Sequence, residues 1–297
     1  MKIAAIIVTA ALVLGACGGN DGKTKSGAGR ITVVANFYPM AEIASRVGAD
    51  RVKVTNLTPV GTEPHDIELT SRQVDQLQDA DLVVYLGKGF QPAVAKIASR
   101  RGKGRVDILD GVQLDKGADE RGALDPHFWL DPVLMAKAVD EVTAALVGIS
   151  PSGADAFQKN AQRYKDDLSA LDADFKRGLA DCDRKEIVTS HAAFFYLARR
   201  YGLRQLPIAG LSPEAEPDAD RLATLAGEIK GKGITTVFYE ELVSPKVSDA
   251  LAREAGVKTA VLSPIEGLTK AELDAGKDYL AVMRDNLVAL RRALGCR

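Results

Sequence analysis

Residues 31–58 read ITVVANFYPMAEIASRVGADRVKVTNLT, two apolar runs on either side of a helical segment. Val, Ile and Leu make up three of the seven residues in each of the runs 31–37 and 52–58, and strands with such residues are typical of parallel sheets buried on both faces. Residues 40–48 between them carry a helical pattern that ends at Gly48. This order predicts a βαβ unit whose two strands are parallel.

The same alternation continues toward the C-terminus. Further strands are predicted at 81–87, 105–109, 186–191, 203–209, 235–241 and 258–263. Further helices are predicted around 70–78, at 90–99, at 192–202, after Pro217, at 244–256 and from about 274 to 294. Strands that alternate with helices of this length indicate repeated βαβ units. The chain is therefore predicted to be an α/β protein of two similar domains with mainly parallel sheets.

A long helical segment lies between the two predicted domains. Asp131-Pro132 is a helix start signal for a segment that runs to about 147, and Ser150-Pro151 repeats that signal. Apolar residues then recur at helical spacing as far as about residue 180, which at 1.5 Å per residue predicts a helix about 45 Å long. We expect an N-terminal domain over 30–149, a linking helix over 150–181 and a C-terminal domain over 182–297.

The N-terminus has the pattern of a bacterial lipoprotein signal. Lys2 precedes the uncharged run 3–14, which as a helix would span about 18 Å, too short for a bilayer core of about 30 Å. The motif LGAC, ending at Cys17, resembles a lipobox, in which the cysteine is lipidated; the alternative is an ordinary signal peptide with a chance cysteine. We expect a signal over 1–16 and a flexible tether over 17–29.

Composition excludes several classes of protein. The 297 residues include 39 Lys+Arg and 40 Asp+Glu, so there is no basic excess of the kind that nucleic-acid binders show. Cys182 and Cys296 remain after the signal cysteine. In an exported chain we expect them to form a disulfide that pins the last helix to its domain, the alternative being two free buried thiols.

The sequence has three histidines, and each lies at the end of a strand or the start of a helix. His65 follows the second predicted strand, His127 precedes the Asp131 helix, and His191 ends a strand and starts a helix. Ligands of open α/β sheets bind beyond the carboxyl ends of the strands, so a cleft between the two domains is the expected meeting point. Neutral imidazoles there suit a metal such as Zn²⁺, with a fourth, anionic ligand to close the site. At a helix start, His191 would also be kept neutral by the helix dipole.

Five segments carry a family resemblance: GTEPHDIELT (61–70), DPHFWLDP (125–132), VTSHAAFFYLARRYGL (188–203), GLSPEAEP (210–217) and LSPIEGLT (262–269). In their order and spacing they resemble the metal-binding solute-binding lipoproteins of bacterial ABC transporters, the cluster A-I (cluster 9) family, on its zinc-specific side. The resemblance covers essentially the whole chain from Arg30 onward. It implies two α/β domains joined by one long rigid helix, with the metal site in the cleft between them.

Carried over by position, the resemblance implies that His65, His127 and His191 are metal ligands and that Glu266 is the fourth. Manganese-type relatives place an Asp early in the loop of Glu266 and a carboxylate where this chain has His191, so zinc is the implied metal. Many zinc members carry a His-rich loop before the second histidine. Residues 113–124 read QLDKGADERGAL, without a histidine, so any role of that loop does not transfer to this chain.

Other side chains could lie near the cleft. Four carboxylates are candidates to touch the metal or to lie just outside it: Glu214, Glu216, Glu240 and Glu241. Asp66 and Asp131 are expected to cap helices or orient the ligands, because metal-bound imidazoles donate their other N–H to a carboxylate or carbonyl. Phe128 and Trp129 are expected to pack around the site.

These residues predict a lipid-anchored, extracytoplasmic protein that captures Zn²⁺ and delivers it to an ABC permease for import. We expect a monomer that binds no nucleic acid, contacts the membrane only through its anchor and is not an enzyme. The alternatives are a manganese-binding or adhesin-type member of the same fold, or a zinc hydrolase. A hydrolase would need an open metal position, which Glu266 would fill.

Overall fold

The computed structural model describes residues 29–65, 67–117, 124–215, 217 and 219–297. The predicted signal over 1–16, Cys17 and almost all of the predicted tether therefore lie outside the described residues. In the described part, no helix is both long and apolar enough to cross a membrane. The strands are β1 (Ile31–Ala35), β2 (Val52–Asn56), β3 (Leu82–Tyr85), β4 (Arg105–Asp107), β5 (Glu186–Thr189), β6 (Arg204–Pro207), β7 (Thr236–Tyr239) and β8 (Lys258–Val261).

The strands form two four-stranded sheets with the same topology. The first has the order β2-β1-β3-β4 and the second the order β6-β5-β7-β8, and every pairing is parallel. Because the strands of a sheet are parallel, their carboxyl ends share one edge, where the connecting loops lie together. The predicted fold of two similar parallel-sheet α/β halves is confirmed.

The helices cover both sheets and connect the halves. They are α1 (Tyr38–Gly48), α2 (Ser71–Asp79), α3 (Pro92–Ala98), α4 (Pro132–Ile149), α5 (Ala154–Gly178), α6 (Phe195–Arg200), α7 (Ala219–Gly231), α8 (Lys246–Ala255), α9 (Lys270–Asp274) and α10 (Tyr279–Leu294). The last helix, predicted from about 274 to 294, is present as α10 and ends at Leu294, but it begins at Tyr279 and a separate short helix, α9, precedes it. Gly276, at φ +70°, interrupts the helical backbone between α9 and α10. The Asp278 side chain then caps the start of α10 by accepting a hydrogen bond from the Ala281 backbone N–H.

Helix α5 is the long helix between the halves, with 25 residues instead of the roughly 30 expected. A separate 3₁₀ turn, Pro151–Gly153, precedes it. Its apolar face contacts α1 and α4 of the first half and α10 of the second. Phe157, Leu168 and Phe175 on that face are buried in one core that extends into both halves. The two halves are therefore packed on a shared support.

A disulfide joins Cys182, just after α5, to Cys296, just after α10. The expected bridge is thus present. The two cysteines also pair as an isolated antiparallel bridge, and the Arg184 N–H donates to the Leu294 carbonyl at 3.1 Å. The end of α10 is in this way fixed to the beginning of the second half by covalent and backbone bonds.

Candidate metal centre

Three imidazoles and one carboxylate meet between the two halves. His65 lies in the loop after β2 and His127 in the connection after β4, while His191 lies two residues beyond β5 and Glu266 in the loop after β8. Each half therefore supplies two of them from the carboxyl edge of its sheet. Their potential ligand atoms all lie within 4.8 Å of one another. The structure brings together the four residues singled out from the sequence.

The closest approaches between these groups converge on the Oε1 atom of Glu266. It lies 3.0 Å from Nε2 of His65, 3.1 Å from Nε2 of His127 and 3.5 Å from Nε2 of His191. The Nε2 atoms of His127 and His191 are 3.3 Å apart. All three histidines thus turn the same ring nitrogen toward one point.

Four of the six separations among the donor atoms are close to the edges of a small coordination tetrahedron. Ligands bound to Zn²⁺ at about 2.0–2.1 Å in tetrahedral geometry are about 3.3–3.4 Å from one another. Four separations of 3.0 to 3.5 Å are close to this spacing, and all the donor atoms lie within 4.8 Å of one another. The donor set is mainly nitrogen, which suits a borderline metal better than one that prefers oxygen.

Two buried carboxylates orient the innermost imidazoles. Nδ1 of His127 lies 2.7 Å from Oδ1 of Asp125, which also accepts the His127 backbone N–H at 2.8 Å. Nδ1 of His191 lies 2.5 Å from Oε1 of Glu240, which also accepts from the Ser190 hydroxyl. When Nδ1–H donates to a carboxylate, Nε2 carries the lone pair that a metal requires. Both rings are thus presented in the ligating orientation.

The carboxylates also change the proton affinity of these imidazoles. Burial lowers the pKa of His191, but the charges of Glu240 and Glu266 outweigh it and raise that pKa well above its usual value. Burial likewise lowers the pKa of His127, and Asp125 together with Glu266 raises it above the usual value. Without an ion, protons therefore compete for these two rings.

Glu266 has the opposite shift. Burial raises its pKa, but the three imidazoles outweigh burial and hold the pKa well below the usual value. Glu63 lies beside this group, 3.9 Å from Nε2 of His65, and accepts the backbone N–H of His65 at 3.0 Å. Burial first, and repulsion from Glu266 second, raise the pKa of Glu63 to about 7. The site thus keeps Glu266 anionic, as a metal ligand must be.

Aromatic rings enclose the site on the side of the first half. The ring of Phe90 packs against that of His65 with centroids 4.7 Å apart, and Trp129 packs against His127 at 5.2 Å. Phe128 and Trp129 are fully buried, as the expected packing role requires. Only the His65 side chain retains some exposure, 11%, against at most 2% for the other three residues.

The remaining candidates separate into distinct roles. Glu240 contacts His191 and is not in the cluster itself, while Glu214 and Glu241 lie outside it. Asp131 caps α4 by accepting the Val133 backbone N–H at 2.9 Å. Asp66 and Glu216 lie outside the described residues. Sequence reasoning missed Asp125, although its place two residues before His127 in Asp-Pro-His is the local signal that could have identified it.

One prediction about His191 is wrong. The residue does not start a helix, because α6 begins four residues later at Phe195. Residues 190–194 form an irregular connection, in which the Thr189 hydroxyl and the Gln205 amide both donate to the His191 carbonyl. The ring orientation therefore depends on these bonds and on Glu240, and not on a place in the first turn of a helix.

Two parallel-sheet halves that share a long helix and enclose a cluster of side chains able to hold a metal are the features of the metal-type solute-binding proteins. The chain belongs to the family described as ZnuA, zinc-uptake complex component A periplasmic, whose profile matches residues 33–293. The resemblance identified from the sequence is confirmed. This is a family of transport proteins.

Individual relatives agree with this assignment. The chain is 38% identical to the high-affinity zinc uptake system protein ZnuA of Bacillus subtilis, over 97% of this chain and 96% of that protein. It is also 38% identical to the zinc-binding lipoprotein AdcA of Streptococcus pneumoniae, of which it spans only 58%. The solved structure of the Zn(II)-bound ZnuA-like domain of that AdcA superposes with a TM-score of 0.79, covering 90% of this chain and 99% of the domain.

Proposed function

We propose that this protein captures Zn²⁺ outside the cytoplasm and delivers it to an ABC permease for import. The ligands are His65, His127, His191 and Glu266. The observation that carries the proposal is the convergence of their donor atoms, four of whose separations are 3.0 to 3.5 Å, close to the spacing of ligands around tetrahedral zinc. The zinc-related names of the relatives support the same metal.

The donor set favours zinc over manganese. Imidazole nitrogen suits zinc, whereas Mn²⁺ prefers carboxylate, carbonyl and water oxygens, and affinity for a given nitrogen site rises from Mn²⁺ to Zn²⁺. Glu240 and Asp125 increase the basicity of two imidazoles, which strengthens nitrogen ligation further.

Capture and release are the chemistry of this site, and catalysis is not. Four protein donors complete a tetrahedral shell, so no position is left where a bound water could be activated. Zinc enters from the side of His65, the one ligand that reaches the surface. There the Gly61 N–H donates to the Leu268 carbonyl at 3.1 Å, so the loops of His65 and Glu266 close against each other. Since α5 supports both halves, these loops move instead of whole domains.

We also propose that a lipid anchor holds the protein at the membrane face. Cys17 carries the lipid, and residues 17–29 tether a monomeric binding domain to the membrane face. Cys17→Ser is expected to move the protein from the membrane fraction to the soluble fraction. Retention in the membrane fraction would contradict the lipid anchor.

Metal content tests the central claim. The protein is purified without chelators, and elemental analysis by inductively coupled plasma mass spectrometry is expected to give one equivalent of zinc per protein. Competition with a chromophoric chelator is expected to give a much higher affinity for Zn²⁺ than for Mn²⁺. Binding of manganese as tightly as zinc, or of neither metal, would overturn the proposal.

A further inference from the structure

The turn that carries Glu266 has an unfavourable backbone conformation. Ile265 has φ +55° and is fully buried. Among the described residues it is the only β-branched residue with a positive φ; the other non-glycine cases are Ala49 and Lys88. A β-branched side chain disfavours this region strongly, so neighbouring groups must hold the turn in place.

Two side chains from distant parts of the chain hold this turn. Asn286 of α10 binds both backbone groups of Ser263, accepting its N–H at 2.8 Å and donating to its carbonyl at 2.7 Å. One residue further, the Trp129 indole N–H donates to the Pro264 carbonyl at 2.8 Å. The strained residue Ile265 comes next, followed by Glu266. Within the turn, the Ser263 hydroxyl also accepts the Ile265 N–H at 3.3 Å, so Trp129 is the last anchor from a distant part of the chain before Glu266.

Trp129 is itself fixed relative to His127. It lies two residues further in the 3₁₀ turn Phe128–Leu130, and its ring packs on Phe37 with centroids 4.8 Å apart. Its own carbonyl accepts the Tyr279 hydroxyl at 2.5 Å. One residue therefore links the segment of a first-half ligand to the turn of a second-half ligand.

We propose that Trp129 is a positioning residue for zinc binding, which acts through Glu266. Its indole N–H holds the Pro264–Ile265 turn in the strained conformation that directs the carboxylate at the three imidazoles. Without that bond the turn relaxes, and Glu266 no longer stands in place before the ion arrives. This inference rests on the proposed zinc function.

A double-mutant cycle tests whether Trp129 affects zinc binding through Glu266. Trp129→Phe keeps an aromatic ring and removes the N–H, while Glu266→Gln removes the anionic ligand. Because residues that act through one another are not additive, W129F is expected to weaken zinc affinity about tenfold in the wild-type background and less than about twofold in the E266Q background. Affinity is measured by chelator competition, since W129F removes the only tryptophan of the sequence and with it the tryptophan fluorescence.

Phe128→Leu is the matched control. Phe128 is equally buried in the same turn but donates no side-chain hydrogen bond, so any effect it has is expected to be the same in both backgrounds. An additive cycle for W129F, or unchanged affinity of W129F in the wild-type background, would overturn the assignment. A wild-type protein that binds no zinc would instead defeat the proposed function.

Two substitutes keep the test decisive. If W129F does not fold by circular dichroism, Tyr279→Phe enters the same cycle, because it removes the hydroxyl that holds the Trp129 carbonyl. If E266Q binds zinc too weakly to titrate, the Glu266→Asp variant is used in its place. That variant keeps a carboxylate on a side chain that is one methylene shorter. In each case a non-additive result supports the proposal and an additive one refutes it.

Discussion

Glu240 accepts a hydrogen bond from Nδ1 of His191 at 2.5 Å, and both side chains are buried. The contact fixes the tautomer whose free Nε2 faces the other ligands. Carboxylates in this position contribute substantially to metal affinity without touching the metal. Glu240 is therefore as much a part of the site as the four clustered side chains are.

Replacement of this carboxylate is the first prediction. Glu240→Gln is expected to weaken zinc affinity by about tenfold or more, because the neutral amide no longer increases the basicity of the imidazole. Isothermal titration with a competing chelator measures the change. Glu254→Gln, an exposed glutamate of α8, is the control and is expected to leave affinity unchanged. Equal affinities of the two variants would show that Glu240 has no such role.

Loss of any one ligand is the second prediction. His65→Ala, His127→Ala and His191→Ala are each expected to weaken zinc binding at least tenfold, since each removes one of four bonds to the ion. Glu214→Ala removes an exposed carboxylate outside the cluster and is expected to bind as the wild type does. A histidine whose loss leaves the affinity unchanged is not a ligand.

Zinc affinity is also expected to depend on pH. The pKa values of His127 and His191 are raised, so protons compete with zinc at a higher pH than for ordinary imidazoles. We expect affinity to fall as the pH drops, beginning above about 6.5, the ordinary imidazole value. Chelator competition between pH 8 and pH 5 follows this change. A constant affinity over that range would argue against imidazole ligation.

The metal-free protein is expected to show the opposite trend in stability. A raised histidine pKa contributes stability that is complete below about 6.5, the unfolded value, and is lost as the pH rises through the folded pKa. The lowered pKa of Glu266 contributes stability above its unfolded value of about 4.3, and this is lost in acid. Urea unfolding without metal should therefore give a maximum between these values. Stability that increases steadily from pH 6 to pH 8 would contradict these shifts.

The disulfide gives the last prediction. Replacing Cys182 and Cys296 together by serine is expected to lower the free energy of unfolding by about 2–5 kcal/mol, since the bridge closes a loop with a separation of 114 residues. Zinc affinity is expected to change little, because neither cysteine is in the metal cluster. Urea unfolding and chelator competition measure the two quantities. Unchanged stability would mean that the packing of α10 suffices without the bridge.

The order of strands and helices along the chain could be predicted from the sequence, but the residues at which the strands end were predicted poorly. Residues 31–37 were predicted as one strand, yet β1 ends at Ala35 although Phe37 is fully buried. Similarly, β3 ends at Tyr85, and Leu86 beyond it is buried in the core. Hydrophobicity reports burial, and a buried residue need not pair with a neighbouring strand.

The four clustered side chains could be singled out from the sequence, but most of the residues that support them could not. Histidines are rare enough that their placement at strand ends carried the inference, and the family motifs supplied Glu266. The Trp129–Pro264 bond joins residues 135 positions apart, and Glu240 reaches His191 from the position just after β7. No local pattern encodes such contacts, because they depend on how the loops of two sheets meet.

The bridge between Cys182 and Cys296 makes most of the second half a covalent ring. His191 and Glu266 lie within this ring, whereas His65 and His127 lie before Cys182, outside it. A single backbone cut between the two cysteines leaves both fragments attached, so a nicked protein keeps this pair of donors on one molecule. A cut between His65 and His127 leaves those two donors on fragments that only packing holds together.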